Sequence, residues 1–331
     1  MSYDVYGVGN ALVDIVTEVD AAFFQANGIQ KGVMTLVDDK RQEQLMGVID
    51  MKQSKMSCGG SAGNTVIAVN QFGGKAFYSC LVAGDELGKF FLMDLARNGV
   101  DTALTHEQCP EGHTGRCLVM TSPDADRTMN TFLGISSLLA PVHLDAAALR
   151  KSAYLYLEGY LVASPHGFET MLEARRIAEQ AGVKVSLTLS DPNMVRFFGE
   201  RFTEVIGASV DLLFCNEEEA MMITGAGDVE TAARQLRALA KKYAITLGAN
   251  GALVYDGEVS IRIEPFRTRA IDTNGAGDMF AGAFLYGITH GKSFAEAGKL
   301  ASLASSRVVE QWGPRLQPDQ SRKVLSDLVS A

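Results

Sequence analysis

The sequence predicts an α/β fold in which a mostly parallel β-sheet carries helices on both of its faces. From residue 142 onward, short apolar runs alternate with longer amphipathic segments, which is the rhythm of successive strand–helix units. Hydrophobic residues make up 47% of the 331 residues, enough to build one large core. Two β-like regions, at about 14–58 and 114–133, break the alternation, and we interpret them as a small β-sheet inserted into the core as a lid. We therefore expect residues 1–331 to form a single domain.

The individual elements follow from apolar periodicity and from breaks at glycine and proline. Core strands are predicted at residues 3–8, 76–82, 153–159, 183–189, 210–216, 244–247 and 252–255. Helices are predicted at residues 64–72, 88–98, 168–180, 217–224, 229–242, 275–288 and 293–311. In the inserted regions we expect β pieces at 33–37, 56–58, 114–121 and 127–133, with a hairpin turn at 122–126 and a polar helix near 39–50.

The charge balance excludes one broad class of partner. The chain carries 30 basic and 39 acidic residues, a formal net charge of −9, and no run of Lys or Arg exceeds two residues. Because nucleic-acid binding needs a basic face, we expect no nucleic-acid partner. An acidic protein that binds a phosphate-bearing ligand must supply positive potential locally, through Mg²⁺, backbone N–H groups and a few cations.

Cysteine usage and hydropathy indicate the compartment. The five cysteines are scattered without a C-x-x-C pair and the five histidines show no ligand spacing, so neither a zinc site nor a disulfide framework is predicted. The N-terminus lacks a signal-peptide pattern, and the longest apolar stretch, near 279–288, is far shorter than the ~20 residues that span a bilayer. We expect a cytoplasmic protein without membrane contact.

The first motif is Asp272-Thr-Asn-Gly-Ala-Gly-Asp278, which precedes an apolar helical segment. Gly275, Ala276 and Gly277 leave backbone N–H groups free to point at one spot, and the helix that begins there adds its positive dipole end. A carboxylate one residue further on, Asp278, is placed to accept a proton from an incoming hydroxyl. Phosphoryl transfer requires chiefly positioning and charge stabilisation, so an anion hole with one base suffices for it. The alternative is an ordinary Gly-rich turn with a helix-capping Asp.

The second motif is Gly59-Gly60-Ser61-Ala-Gly-Asn64. Small residues allow close approach of a substrate to the backbone, and Asn64 offers both a donor and an acceptor to a polyol. The same segment matches G-x-S-x-G, the nucleophile elbow of serine hydrolases, so Ser61 as a nucleophile is a remote alternative. That alternative leaves the Asp272–Asp278 motif unexplained.

The third motif, Asn10-Ala-Leu12-Val-Asp14, comes just after the first strand, where ligands bind in open α/β sheets. We expect Asp14 to hold two vicinal hydroxyls, the alternative being a simple turn residue. The segment also half-matches the dinucleotide fingerprint G-x-G-x-x-G, but Leu12 occupies the position of the third glycine.

The fourth motif, Asn216-Glu-Glu-Glu219, follows a strand and opens a helix. Residues three apart on a helix lie on one face, so Asn216 and Glu219 are expected to contact Mg²⁺ or its waters, unless they form only a solvated helix start. Downstream, Thr246, Gly248 and Gly251 form a turn suited to a nucleotide or to a plain hairpin. A P-loop is absent, because Tyr286 stands where its first glycine belongs.

The four motifs, in this order and spacing, resemble the ribokinase-like, or PfkB, family of carbohydrate and nucleoside kinases, over about residues 3–315. The segments Gly59–Asn64 and Asp272–Asp278 are similar to the two signatures of that family. Within it, the chain resembles the adenosine kinase branch most, on the segments that begin at Gly9 and Glu158, on Val66, on Asn274 and on the sequence Asp126-Arg127-Thr. The resemblance implies a Rossmann-like core, a β lid and direct transfer of phosphate from Mg·ATP to a hydroxymethyl group.

Under this resemblance, the expected acceptor is a nucleoside, adenosine first, with a free sugar such as ribose or fructose as the alternative. Asp278 is the expected base, and Arg127 reaches over the phosphates from the lid. Substrate contacts are expected from Asn10, Leu12, Asp14, Leu36, Gly59, Gly60, Ser61, Asn64, Cys117 and Leu133. Contacts with ATP are expected from Asn216, Glu219, Thr246, Gly248, Gly251 and Asn274. Mg²⁺ is expected near Asn216 and Glu219 through water, and a monovalent cation such as K⁺ near Asp272 and residues 308–313. The resemblance is compatible with a monomer or with a homodimer formed through the lids.

Overall fold

A computed structural model describes residues 2–50, 54–122 and 127–330, the side chains of Arg127, Val329 and Ser330 excepted. In these ranges the strands are β1 Tyr3–Val8, β2 Leu12–Glu18, β3 Met34–Leu36, β4 Lys55–Gly59, β5 Ala76–Ser79, β6 Gly115–Thr121, β7 Arg127–Phe132, β8 Ser152–Leu157, β9 Lys184–Thr188, β10 Leu212–Asn216, β11 Tyr243–Thr246, β12 Ala252–Tyr255 and β13 Ser260–Ile263. The α-helices are α1 Ala21–Ala26, α2 Asp39–Gly47, α3 Ser61–Gln71, α4 Glu86–Arg97, α5 Ala146–Leu149, α6 Pro165–Ala181, α7 Pro192–Ile206, α8 Glu217–Thr224, α9 Val229–Leu236, α10 Ala276–Thr289, α11 Phe294–Val308 and α12 Pro318–Ser330.

Eight strands form the main sheet, in the order β13-β12-β11-β10-β9-β8-β1-β5. From β5 to β11 all neighbours are parallel, and β12 and β13 join the edge as antiparallel strands. Side chains alternate between the two faces: Tyr154 and Tyr156 of β8 enter one core, and Leu155 and Leu157 enter the other. The first core is completed by α3, α4, α10, α11 and α12, and the second by α5 to α9. This places helices on both faces of the sheet.

A second, five-stranded sheet consists of segments that lie far apart in sequence, in the order β3-β7-β6-β2-β4. Its centre is the parallel pair β2 and β6, flanked by the antiparallel pairs β2–β4 and β6–β7. Ile15, Leu118 and Met120 on one face of this sheet form a small core with Phe24 of α1 and Leu45 of α2. The opposite face of this sheet is therefore available to line a cavity.

The predicted fold class is confirmed: a mostly parallel sheet covered on both faces, with a small inserted β-sheet. The predictions missed the helices α1, α5, α7 and α12 and the strands β2 and β13, and they ran the helix at 229–242 six residues past its end at Leu236. There the chain tightens, as the amides of Leu239 and Ala240 both bond to the carbonyl of Leu236. The predicted hairpin turn falls largely on residues 123–126, outside the described residues. None of the helices in the described ranges combines the length and apolarity needed to cross a membrane.

Candidate active site

A cavity of about 480 Å³ lies at the carboxyl ends of the parallel strands, where the inner face of the second sheet approaches the main sheet. Its volume falls within the ~300–1,000 Å³ typical of small-molecule sites, and its place follows the rule for open α/β sheets. The described lining comes from both sheets and from the first turns of α3 and α10. Among it are most of the residues predicted for the site: Asn10, Leu12, Asp14, Leu36, Gly60, Ser61, Asn64, Cys117, Leu133, Asn216, Glu219, Thr246, Asn274, Gly275, Ala276, Gly277 and Asp278.

Asp278 lies in the first turn of α10 with both carboxylate oxygens held in place. The hydroxyl of Ser61 donates to Oδ1 at 2.7 Å, and Nδ2 of Asn64 donates to Oδ2 at 2.9 Å. Burial raises the pKa of Asp278 to about 6, against the two hydrogen bonds, which lower it. The result is an oriented carboxylate that is ionised at neutral pH but more basic than an ordinary aspartate. This is the property expected of a general base.

Two helices face the cavity with N-termini whose N-cap residue is glycine and supplies no side-chain cap, although the Glu158 carboxylate accepts from the Ala62 amide at the start of α3. Of the helices whose N-cap is described, α3 and α10 begin at Gly60 (φ 88°) and Gly275 (φ 74°) without a side-chain hydrogen bond, whereas the others are capped by Asp, Asn or Ser. The first N–H groups of a helix have no intrahelical acceptor, and they carry the positive end of its dipole. In α10 the Ala276 amide donates to the carbonyl of Thr273 at 3.4 Å, and the following N–H groups of the first turn are the ones offered to an anion in the cavity.

The turn before α10 is fixed by close contacts that only glycine permits. A Cβ at Gly275 would lie 2.2 Å from the carbonyl oxygen of Pro314, and its φ of 74° is one that L-residues rarely adopt. Asp272 accepts hydrogen bonds from the amides of Asn274 at 2.7 Å and Gly313 at 2.9 Å, which ties the turn to the 308–313 loop. Asp272 is buried and is not part of the cavity lining, so its described bonds support the turn from behind.

Glu158, at the end of β8, is a site residue that the motifs did not single out. Its carboxylate accepts from Nδ2 of Asn10 at 2.8 Å, from the Asn10 amide at 3.2 Å and from the Ala62 amide at 2.8 Å. Burial raises its pKa to about 7, opposed by these hydrogen bonds, and the charge of Asp278 raises it further. A Cβ at Gly9 would lie 2.4 Å from Glu158 Oε2, so a glycine is required for this approach. Glu158 thus joins the β1 end to the start of α3.

Asp14 is the first member of a row of side chains that crosses the second sheet. The alternative of a simple turn residue is wrong, since Asp14 is the third residue of β2 and is buried. It pairs in register with Cys117 of β6, which pairs with Thr131 of β7, which pairs with Leu36 of β3. All four residues line the cavity. The row therefore leads from a carboxylate to an aliphatic side chain across three strand spacings of about 4.8 Å each.

The far end of this row is apolar. Met34 and Met129 are register partners two residues before the pair Leu36 and Thr131. Both line the cavity together with Leu36 and Leu133. The hydroxyl of Thr131 is directed to the sulfur of Cys117 at 3.3 Å. Across the cavity, Tyr160 and Met194 contribute further apolar surface from the main-sheet side. This half of the cavity suits a flat apolar group more than a second polyol.

Asn216 and Glu219 form a reciprocal cap at the start of α8. Asn216 Oδ1 accepts from the Glu219 amide at 2.8 Å, and Glu219 accepts from Asn216 Nδ2 at 2.8 Å and from the Asn216 amide at 3.0 Å. Burial raises the pKa of Glu219 to about 7, while the Asn216 bond lowers it. The predicted common face is therefore observed, with both side chains on the cavity wall. Thr246, at the end of the neighbouring strand β11, lies beside them.

Four carboxylates line the cavity, those of Asp14, Glu158, Glu219 and Asp278. None of its described lining residues is Lys or Arg, and no cluster of three or more His, Cys, Asp or Glu that could hold a metal ion occurs in the described residues. A polyphosphate in this cavity must therefore bind together with a cation, or its charge must be stabilised by backbone N–H groups and neutral donors. The side chain of Arg127, predicted to reach the phosphates, lies outside the described residues.

Some predicted site residues are not in the cavity lining. Gly59 lies behind Asp14, where a Cβ would lie 2.2 Å from Oδ1, so it makes room for that carboxylate. Gly248 and Gly251 belong to the turn between β11 and β12, as the hairpin alternative anticipated. The hydrolase alternative receives no support, since the hydroxyl of Ser61 donates to Asp278 and no described lining residue is histidine. Besides Glu158, the motifs missed Thr188 and Ser190 at the end of β9.

Comparison with known proteins agrees with this geometry. A family model described as pfkB family carbohydrate kinase matches residues 33–320. A probable sugar kinase from Rhizobium etli has a similar structure, with a TM-score of 0.91, 36% identity and coverage of 99% of this chain and 100% of the other. The adenosine kinase of Sinorhizobium meliloti gives a TM-score of 0.90, 35% identity and coverage of 98% and 99%. Adenosine kinase from Saccharomyces cerevisiae is 24% identical over 329 residues, which are 93% of this chain and 95% of the relative.

Proposed function

The chain belongs to the pfkB family of carbohydrate kinases, and we propose that it transfers phosphate from ATP to the 5′-hydroxyl of a ribonucleoside, adenosine foremost. The observation that carries this proposal is the row Asp14–Cys117–Thr131–Leu36 in the wall of the cavity that also contains Asp278. A carboxylate at one end suits the diol of a ribose, and the aliphatic end suits a base. A lone sugar held at Asp14 reaches only the first members of the row.

The acceptor end supplies orientation. Asp14 accepts hydrogen bonds from the 2′- and 3′-hydroxyls, and Asn10 and Gly60 approach the ribose from the β1 end. The carboxamide oxygen of Asn64 has no hydrogen-bond partner in the described residues, although its nitrogen holds Asp278. A ribose hydroxyl would satisfy this oxygen, which favours a polyol at this place.

The chemical step needs one proton acceptor and one place for negative charge. Asp278 takes the proton of the 5′-hydroxyl as the phosphoryl group arrives, which its pKa of about 6 allows at neutral pH. The uncapped N-terminus of α10, with Gly275, Ala276 and Gly277, faces the transferring group with backbone N–H groups. Gly277 has open space where a Cβ would be, so the backbone is approachable there.

The donor end is assigned to Asn216, Glu219, Thr246 and Asn274, which line the same cavity, with Asn216 and Thr246 paired at the ends of β10 and β11. Mg²⁺ bound to the triphosphate would supply the positive charge that the described lining lacks. Because the oxygens of Asn216 and Glu219 already accept hydrogen bonds from each other's N–H groups, these residues would hold Mg²⁺ through water. A monovalent cation such as K⁺ beside Asp272 and the 308–313 loop stays a prediction.

A sugar kinase of the same family is the second candidate, favoured by the similar structure of the probable sugar kinase from Rhizobium etli. With a free sugar as the acceptor, no part of the substrate would contact the apolar end of the row at Leu36. The two candidates differ in whether turnover requires a base on the ribose.

The deciding experiment is a coupled ADP-release assay with Mg·ATP across adenosine, other nucleosides, ribose, fructose and hexose phosphates. Reactions without acceptor give the background rate of ATP hydrolysis. We expect kcat/KM for adenosine to exceed that for ribose by at least about 30-fold, since a buried base contributes about two or more kcal/mol of apolar burial. Turnover of a free sugar with equal efficiency would show that the nucleoside proposal is wrong.

A further inference from the structure

Ser190 has a backbone conformation found at no other non-glycine residue in the described part of the chain. Its φ is 70°, and the amide of Asp191 donates to the carbonyl of Leu189 at 2.9 Å across it. A hydrogen bond between residues two apart around a positive φ defines the rare, strained form of the γ-turn. Such strain costs on the order of 1–3 kcal/mol and is concentrated at functional sites. The turn joins the end of β9 to α7, within the cavity wall.

The side chain of Ser190 adds a second unfavourable feature at the same residue. Its hydroxyl oxygen is buried and has no hydrogen-bond partner among the described residues. The neighbouring hydroxyl of Thr188 accepts the Ser190 amide, at 3.3 Å. Buried hydroxyls nearly always form a hydrogen bond. A hydroxyl without one in the wall of a ligand cavity therefore indicates that its partner is an atom of the ligand.

The position of β9 in the sheet indicates which part of the ligand this is. At the carboxyl edge, β9 lies between β8, which ends at Glu158 on the acceptor side, and β10, which ends at Asn216 on the donor side. Each neighbouring strand is about 4.8 Å away. Ser190 thus follows the strand that lies between the two half-sites of the proposed function, in which a phosphoryl group passes from one to the other.

The charge of the cavity makes a neutral donor valuable at this point. The lining holds four carboxylates and, in the residues described, no lysine or arginine. A serine hydroxyl donates one hydrogen bond without adding negative charge, and its proton rotates to follow a moving oxygen. Hydrogen bonds from neutral donors to charged oxygens are among the stronger ones in proteins.

We propose that Ser190 is a further catalytic residue, whose hydroxyl donates to an oxygen of the phosphoryl group in transfer. The γ-turn holds the hydroxyl at this place, which explains why the strain is retained. The proposal rests on ATP as the phosphoryl donor, as in the proposed function, and is independent of which acceptor is used.

Two variants separate the hydroxyl from the backbone strain. Both Ser190→Ala and Ser190→Gly remove the hydroxyl, but glycine adopts φ near 70° without strain. Each is compared with wild type on the acceptor that wild type turns over best, so a nucleoside or a sugar serves equally. The measurements are kcat, acceptor KM, thermal unfolding, and the dissociation constant of the non-hydrolysable ATP analogue AMPPNP with Mg²⁺.

We expect kcat to fall about 10- to 100-fold in both variants, the usual loss for one donor to a charged transition state, with acceptor KM within about twofold. Ser190→Gly is expected to unfold at or above the wild-type temperature, so a lower kcat there is not a folding defect. A Ser190→Gly enzyme with kcat within about threefold of wild type and unchanged AMPPNP affinity would overturn the proposal. If Ser190→Ala does not fold, Ser190→Gly alone decides. A wild type that turns over only sugars would refute the nucleoside proposal, and the same comparison on that sugar still tests Ser190.

Discussion

The two walls of the cavity are built in opposite ways. The floor, meaning Ser61, Asn64, Glu158 and Asp278 at the edge of the main sheet, is polar and held by hydrogen bonds of 2.7–2.9 Å between side chains or to the backbone. The roof, meaning Leu36, Cys117, Met129 and Thr131 on the second sheet, is mostly apolar, and Leu36 is 46% exposed. Floor residues are fixed before a ligand arrives, whereas roof residues offer surface with little directional bonding.

This difference assigns separate tasks to the two walls. Catalysis needs groups that are oriented in advance, because their reorganisation would raise the barrier. Selection of a base by an aliphatic roof depends on shape and burial, and apolar pockets discriminate weakly between similar ligands. Floor variants should therefore lower kcat for every acceptor, and roof variants should change which acceptor is preferred.

The largest effect is expected from Gly275→Ala. A Cβ there would contact the backbone of Pro314 at 2.2 Å and would impose φ of 74° on an L-residue, so the N–H groups at the start of α10 must move. We expect kcat to fall by at least about 10²-fold, the loss seen when one anion-hole donor is removed. Steady-state kinetics and thermal unfolding measure the two consequences separately.

Gly182→Ala is the matched control for that variant. Gly182 has φ of 71°, caps the end of α6 and has no atom within 4 Å of the Cβ position. Both variants should lose about 1–2 kcal/mol of stability through the left-handed backbone, but only Gly275→Ala should lose activity. Equal loss of kcat in the two variants would show that general destabilisation, and not the anion hole, is responsible.

Asp14→Ala tests the point where floor and roof meet. Asp14 is buried beside Gly59 and is assigned the acceptor diol. Removing a charged acceptor of two hydrogen bonds should raise acceptor KM by about 10²-fold, at roughly 1.5–3 kcal/mol for each bond. The KM for ATP should stay within about twofold. Weakened ATP binding with an intact acceptor KM would place Asp14 at the wrong end of the cavity.

Leu36→Ala examines the roof alone. Since Leu36 is half-exposed, the loss of part of its burial should raise KM for adenosine by about 3- to 10-fold, with kcat and the weaker use of ribose unchanged. Thr35→Ala is the control, because Thr35 is its neighbour on β3 and faces the other way. An equal effect on ribose and adenosine would show that Leu36 does not contact the base.

The smallest expected effect is a pH shift in Ser61→Ala. The hydrogen bond from Ser61 stabilises the charged form of Asp278 and so lowers its pKa. Without it the pKa rises, a larger fraction of Asp278 is protonated at a given pH, and the acid limb of kcat moves to higher pH. A profile of kcat against pH from 5 to 9 measures this shift. An acid limb that stays in place would mean that Ser61 does not act through Asp278.

The site was most predictable from the sequence where several consecutive residues contribute to one function. The segments Gly59–Asn64 and Asp272–Asp278 were recognisable because glycines, a carboxylate and a helix start occur together in each. Glu158 and Ser190 were missed because each stands alone at a strand end. The importance of Glu158 depends on Asn10 and Ala62, which are distant in sequence. The strain at Ser190 lies in its backbone dihedral angle φ, which no local residue pattern predicts.

The limits on fold prediction have the same physical origin. Alternating β-α units were predictable because each is stabilised by its own periodicity and its neighbours. The pairing of β2 with β6 joins residues about a hundred positions apart, and the row from Asp14 to Leu36 exists only after that register is set. The alternative of a turn residue for Asp14 arose because only four residues separate it from Gly9, although its strand neighbours Val13 and Ile15 are apolar.

The central claim, that Asp278 is the proton acceptor, is tested most directly by the pH dependence of kcat in wild type and in Asp278→Asn. With a pKa of about 6, Asp278 is ionised at pH 8, and wild-type kcat should fall about tenfold per pH unit below about 6. The asparagine variant retains the shape and should lose at least about 10²-fold in kcat at pH 8, together with the acid limb. The claim would be contradicted by a variant that stays near wild-type turnover and keeps an acid limb, and a limb near pH 7 would then point to Glu158 or Glu219 as the base.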